Sequence, residues 1–151
     1  MKRYNLKRLL RILCLRAVTH VPMGNSTRAL LTKMGGVKIM DRKHVFIGEG
    51  CIFDSLYPER IKIGKSVHIT MRCIILTHEL DTNKNGIRWK PGGRDVVIND
   101  HTFIGANTII CKGVTIGRNV IVGASSVITK DIPDNEIWGG NPARFIKERN
   151  V

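Results

Sequence analysis

His78 stands in the run Thr77-His78-Glu79-Leu80, at the mouth of a polar, glycine-rich stretch that ends near Arg94. An imidazole there can act as a general base, because its unperturbed pKa lies near physiological pH and it can take a proton from a bound hydroxyl. On side-chain chemistry alone, His20, His44, His68 and His101 are equally eligible. Cys14, Cys51, Cys73 and Cys111 are too widely spaced for a Cys-x-x-Cys metal or redox site, and nothing in their placement calls for an oxidising compartment. No two histidines lie within a few residues of each other, His68 and His78 being the nearest pair.

Position must separate these candidates, and position is set by a repeat. Ile98, Ile104, Ile110, Ile116, Val122 and Ile128 recur at intervals of six residues. Four residues after each of the first five comes a compact side chain: Thr102, Thr108, Val114, Val120 and Ser126. Gly105, Gly117 and Gly123 directly follow an aliphatic, where a backbone turning a corner is expected to use glycine's tolerance of positive φ. The pattern returns at Ile63, Ile69 and Ile75, with Gly64, Val67 and Cys73, and at Ile47 and Phe53, with Gly48 and Cys51. Fixed-period hexapeptides predict an all-β chain wound as a parallel β-helix. Three hexads make one triangular coil of about 18 residues, and coils stack about 4.8 Å apart. Four or five coils fit between Val45 and Pro133. Such a stack needs a cap at each end, and so short a prism buries little surface per residue, which favours association with further subunits.

Ile75 and Ile98 are 23 residues apart, not a multiple of six, so the solenoid must extrude a loop over residues 79–95. Loops on a rigid scaffold are where function concentrates, and His78 opens this one, with Glu79 beside it and Trp89, Lys90 and Arg94 further along.

The formal net charge is +13, and no acidic residue precedes Asp41, whereas Lys2, Arg3, Lys7, Arg8, Arg11, Arg16, Arg28, Lys33 and Lys38 all do. Nucleic acid is not the expected partner, because no aromatics interleave with the basic residues and no reading module is present. Leu6, Leu9, Leu10, Ile12, Leu13, Leu15 and Val18 form an amphipathic, helical pattern broken by Arg11 and Arg16, too short in its apolar runs to span a membrane. Residues 1–35 are expected to cap the open end of the solenoid, and the same basic, apolar-faced segment suits peripheral contact with an anionic membrane.

The hexads, the loop-borne Thr-His-Glu-Leu and the run from Val114 to Arg149 resemble the hexapeptide-repeat acyltransferases, the family of the maltose, galactoside and serine acetyltransferases and of polysaccharide O-acetyltransferases. The resemblance covers roughly residues 45–149. It implies a left-handed parallel β-helix, a homotrimer, and acetyl coenzyme A as co-substrate in the groove between adjacent prisms, with no metal required. It places the general base on His78 and makes Asp54, in the Ile47–Asp54 segment, a candidate acceptor contact or histidine-orienting group, with Glu79 as a rival. Ala106 and Ala124 match small residues along the pantetheine arm, Thr129 and Lys130 the Thr-Lys pair of the same groove, and Arg144 and Lys147 the cations directed at coenzyme A phosphates. Gly139, Gly140 and Pro142 are expected to shape the turn that brings the tail back to that groove.

The chain thus divides into a basic leader and N-terminal cap (1–40), the β-helix with its extruded loop (41–133) and a cofactor-groove tail (134–151). The activity expected is O-acetylation of a hydroxyl on a sugar or a polysaccharide-assembly intermediate in the cytoplasm, with the leader able to meet the inner face of the membrane. Two other readings compete: a catalytically inactive β-helix scaffold, and a γ-type carbonic anhydrase-like metalloenzyme. The latter shares the prism but requires histidines at a closer spacing than this chain offers.

Overall fold

The structure, a computed structural model, describes residues 5–83 and 86–150. Lys2 and Arg3 of the leader, residues 84–85 of the loop and Val151 lie outside the described residues. The hexads form three parallel sheets, one on each side of a triangular prism. The first side stacks β1 (Lys38–Ile39), β4 (Ile61–Ile63), β9 (Val96–Ile98) and β12 (Thr115–Ile116). The second stacks β2 (Phe46–Ile47), β5 (His68–Ile69), β10 (Phe103–Ile104) and β13 (Ile121–Val122). The third stacks β3 (Ile52–Phe53), β6 (Ile74–Ile75), β11 (Ile109–Ile110) and β14 (Val127–Ile128). The extruded segment is an antiparallel hairpin of β7 (His78–Asn83) and β8 (Gly86–Pro91). At the far end, β15 (Glu136–Gly140) lies on β13, and β16 (Ala143–Glu148) folds back along it.

Each two-residue strand points its second residue inward. Ile47, Ile69 and Ile104, one above another, are fully buried, as are Ile75, Ile110 and Ile128 on the next side. The compact positions are buried too, and their chemistry explains their composition. Thr102 Oγ1 donates to the carbonyl of Gly117 at 2.7 Å, and the thiols of Cys51 and Cys73 reach the carbonyls of Thr70 and Gly105 at 3.0 and 3.3 Å. A small donor at that corner ties one coil to the next, which is why Thr, Ser and Cys alternate there with Val.

The corner glycines serve another purpose than the one expected of them. Positive φ falls two residues later, at Ser66, Arg72, His101, Asn107, Asn119 and Ser125, and at Gly50 and Gly113. Gly105 and Gly117 are instead sites of close approach. A Cβ on Gly105 would stand 2.5 Å from the Ala124 nitrogen, and one on Gly117 would stand 2.6 Å from that of Asp134. Gly123 has no neighbour nearer than 3.6 Å.

The leader forms α1 (Leu6–His20), capped by the Asn5 side chain, and α2 (Asn25–Met34). These helices close the first coil, whose lower backbone groups have no coil beneath them and must find other partners. Asn25 imitates a strand there, donating to the Val45 carbonyl at 3.1 Å and accepting from the Ile47 amide at 2.9 Å. The buried Arg28 guanidinium donates to the Ile47 carbonyl at 2.6 Å. Leu15 and Val18 face the interior, while Leu6, Leu9, Leu10 and Leu13 stay exposed. Among the described residues, no helix is long and apolar enough to cross a membrane.

Candidate active site

The edge between the third and first sides carries the histidine. β6 ends at Ile75, and Thr77 and His78 follow where the chain leaves the solenoid for the hairpin. Directly beneath, β3 pairs Phe53 with Ile75, so Asp54 falls under this turn and its amide donates to the Ile75 carbonyl at 3.0 Å. The Asp54 carboxylate is buried and fully engaged. One oxygen accepts from the Leu56 amide at 2.9 Å; the other accepts from the Thr77 amide and hydroxyl at 2.8 and 2.7 Å and meets Nδ1 of His78. Burial alone would push this carboxyl up, but the Leu56 amide, the Thr77 donors and His78 outweigh it and hold Asp54 below the ordinary carboxylate range.

A carboxylate can only accept, so Nδ1 of His78 donates to it, and in the neutral imidazole Nε2 is then the acceptor nitrogen. His78 has the side-chain exposure of a group at a pocket mouth, 21%. It lines a cavity of about 290 Å³ between the solenoid and α1, shared with Asp54, Leu76, Ile52, Arg16 and His20.

The hairpin supplies another wall. Leu80 pairs with Trp89 and Thr82 with Ile87, on the same side as His78, while Glu79 pairs with Lys90 and Asp81 with Arg88 on the other. Trp89 meets the His78 ring edge-on, with centroids 4.7 Å apart at 85°. Glu79 turns away: its carboxylate is held by Lys112 and, at 3.5 Å, by Lys90, so Asp54 and not Glu79 is the carboxylate on the His78 ring. Arg94, at the end of the loop, grips Asp131 through two bonds of 2.9 and 3.1 Å and fixes the return to the solenoid.

The residues matched to a cofactor groove fall on two edges. Thr129 and Lys130 lie on the His78 edge, two coils above it; Lys130 Nζ rests 5.4 Å from the centre of the Trp138 ring. Ala106 and Ala124 stack at the edge between the second and third sides, where the Ser125 amide donates to the Ala106 carbonyl at 2.7 Å. The Gly139–Gly140 turn joins them there, its Gly140 amide bonded to Ser126 Oγ at 3.1 Å, and β16 leads from it with Arg144 and Lys147 exposed. One hexad separates the two edges, roughly 15–20 Å at strand rise, so one chain does not bring His78 and Ala124 together. Among the described residues, no three His, Cys, Asp or Glu side chains converge as metal ligands would. His20, His44, His68 and His101 make no contact with Asp54 comparable to that of His78; His44 instead bonds Asp41 at 2.6 Å.

Sequence reasoning misses Thr77 and Arg16 as site residues and gives Trp89 no role. Thr77 is within its reach, because stacking Phe53 on Ile75 sets Asp54 beside it.

Comparison with known proteins bears on the fold. Residues 95–130 match the bacterial transferase hexapeptide (six repeats) family. "Putative acetyltransferase YvoF" of Bacillus subtilis is 40% identical over 93 residues, 62% of this chain and 51% of that protein. The 2,3,4,5-tetrahydropyridine-2,6-dicarboxylate N-acetyltransferase of Staphylococcus aureus is 33% identical over 85 residues, 56% of this chain and 32% of that protein. The chain thus spans about half the length of the first relative and a third of the second. The crystal structure of a maltose O-acetyltransferase from Clostridium difficile superposes with a TM-score of 0.69 at 26% identity, over 96% of this chain and 87% of that one. Galactoside acetyltransferase in complex with coenzyme A gives 0.65 at 26% identity, over 95% and 81%. The chain has the left-handed parallel β-helix of the hexapeptide-repeat acetyltransferases, the family its hexads resemble.

Proposed function

We propose that this chain is the subunit of a homotrimeric, acetyl coenzyme A-dependent O-acetyltransferase acting on a saccharide hydroxyl. The observation that carries the proposal is the contact of His78 Nδ1 with the buried Asp54 carboxylate at the mouth of a cavity, which reserves Nε2 of the neutral ring for a substrate proton. A hydroxyl is a poor nucleophile until a base takes its proton, and a histidine oriented by a carboxylate is suited to that task. As the acceptor oxygen attacks the thioester carbonyl, its proton passes to Nε2, and Asp54 stabilises the imidazolium that forms. The C–S bond then breaks, the oxygen keeps the acetyl group, and the imidazolium returns the proton to the departing thiolate. Such a base contributes about 10²- to 10⁴-fold in rate. Acetyl transfer is also what the names of the relatives state, although the Staphylococcus aureus protein is named for transfer to nitrogen and the maltose and galactoside enzymes for sugars.

In this reading Ala106 and Ala124 admit the pantetheine arm, Thr129 and Lys130 line the same groove, and Arg144 and Lys147 meet the phosphates. The edge that carries Ala106 is bordered by exposed apolar groups, Phe46, Phe103, Ile52 and Met71. Such a patch suits the neighbouring copy in a trimer, which would bring its own His78 edge to the groove. The division into leader (1–40), solenoid (41–133) and tail (134–151) follows from these roles. A cytoplasmic enzyme with acetyl coenzyme A at hand fits them, and the exposed leucines of α1 would let residues 1–35 rest on an anionic membrane.

The test is release of free thiol from acetyl coenzyme A over a panel of mono- and oligosaccharides, nucleotide sugars and amino sugars. Acceptor-dependent release by the wild type, lost in His78→Ala with acetyl coenzyme A still bound, is expected. Release only with amino sugars would move the acceptor to nitrogen, and release undiminished in the variant would remove His78 from the mechanism.

A further inference from the structure

Beyond capping the solenoid, α1 walls the cavity that holds His78. Arg16 and His20 face it from the helix, opposite Asp54 and His78. Arg16 is exposed and makes no salt bridge or side-chain hydrogen bond among the described residues. The nearby carboxylates are already committed: Asp54 to His78, Thr77 and Leu56, Glu59 to Arg11 at 3.9 Å, and Glu49 to Arg28 at 3.4 Å. The cavity wall therefore carries a positive charge that the protein itself does not neutralise. The depression continues past Ser55 and Leu56, where Arg16 also lines the next hollow together with Arg8, and a further one runs from Arg8 to Arg11.

Within one chain the cations assigned to coenzyme A phosphates, Arg144 and Lys147, lie on a different edge from Arg16. A guanidinium with no carboxylate partner among the described residues, on the wall of the His78 cavity, suits an anion carried by the acceptor. A guanidinium forms paired, charge-assisted bonds with phosphate or carboxylate, and the apolar lining from Ile12, Leu15, Ile52 and Leu76 strengthens them by lowering the local dielectric.

We propose that Arg16, with His20 beside it, is an anion-recognising subsite of the acceptor pocket. The acceptor is accordingly a saccharide that bears a phosphate, pyrophosphate or carboxylate next to the hydroxyl acetylated at His78. This assignment rests on the acetyl-transfer reading, deepens it by naming a substrate class, and makes Arg16 a specificity-determining residue.

Two measurements test it. In the first, thiol release is compared for matched acceptors: a neutral sugar, its phosphate, its uronic acid and its nucleoside-diphosphate derivative. The wild type should favour charged members, and the best of them identifies the anion. Arg16→Gln should raise the KM for that acceptor about tenfold or more, with kcat and the KM for acetyl coenzyme A moving less than twofold, and Arg16→Lys should recover part of the loss. Equal use of neutral and charged acceptors, or an unchanged preference in Arg16→Gln, would overturn the subsite and leave acetyl transfer standing. Silence over the whole panel would instead count against acetyl transfer. The second measurement does not depend on turnover: inorganic pyrophosphate is titrated into the trimer without coenzyme A while the imidazole resonances of His20 and His78 are followed. Saturable shifts in the wild type that vanish in Arg16→Gln are expected, and their absence in the wild type would overturn the subsite.

Discussion

Nδ1 of His78 is bonded to Oδ2 of Asp54, a residue 24 positions earlier in the chain and one solenoid turn below. Because Asp54 is ionised and acceptor-only, this contact leaves Nε2 of His78 free to take a proton. Asp54→Asn should reverse that arrangement, since an amide can donate to Nδ1 and stabilise the wrong tautomer. Acceptor-dependent kcat is expected to fall on the order of 10²- to 10⁴-fold, with the KM for acetyl coenzyme A little changed. Steady-state kinetics check this, and wild-type kcat in the Asp54→Asn variant would remove the carboxylate from the mechanism.

The same carboxylate should be visible in acid stability. Its folded pKa is depressed below the ordinary value of 3.8. A depressed carboxyl contributes stability that is fully present above its unfolded pKa and is lost as pH falls through the folded one. The thermal midpoints of wild type and Asp54→Asn, followed from neutral pH into acid, should show a constant gap above about pH 5 that narrows below about pH 4. A gap independent of pH would show that folding does not depress the Asp54 pKa.

Gly105 and Gly123 occupy the same hexad position one coil apart, yet they should respond differently to alanine. At Gly105 the new Cβ meets backbone of Ala124 and Gly123 at 2.5 and 2.7 Å, and backbone of the next coil cannot step aside. Gly105→Ala is expected to cost about 1–3 kcal/mol. Gly123→Ala, whose Cβ has 3.6 Å to its nearest neighbour, should lie within about 0.5 kcal/mol of wild type. Denaturant midpoints at constant slope measure both.

Trp89 stands edge-on to His78 and is 62% exposed, an aromatic surface turned toward the acceptor side. Trp89→Ala should raise the KM for the acceptor by about tenfold and that for acetyl coenzyme A much less. Equal changes in both would mean that the tryptophan only holds the hairpin in place.

Much of this architecture is legible in the sequence, because each hexad reports its own environment. The aliphatic at Ile104 or Ile110 lies in the column its spacing assigns, and the 23-residue gap after Ile75 announces the excursion that His78 opens. Contacts between coils are harder to read. Asp54 and Glu79 are both carboxylates near the histidine in the repeat, and only the stacking of β3 under β6, with Lys112 and Lys90 drawing Glu79 away, separates them. Arg16 is invisible as a site residue because α1 has amphipathic periodicity but no repeat to set its register against the solenoid. The glycine positions are legible for a mistaken reason, since close approach and positive φ both select glycine and fall two residues apart in the same corner.

The central claim, acetyl transfer at a site shared by two copies, is tested most directly by mixing two disabled variants. His78→Ala lacks the base, and Ala124→Trp blocks the groove on the other edge. Each should assemble as a trimer and release no thiol alone. Trimers reassembled from an equal mixture should pair intact His78 edges with intact Ala124 edges in about one quarter of their sites and recover activity in proportion. No recovery in mixed trimers would contradict the account, because it would place both residues in a site built by a single chain.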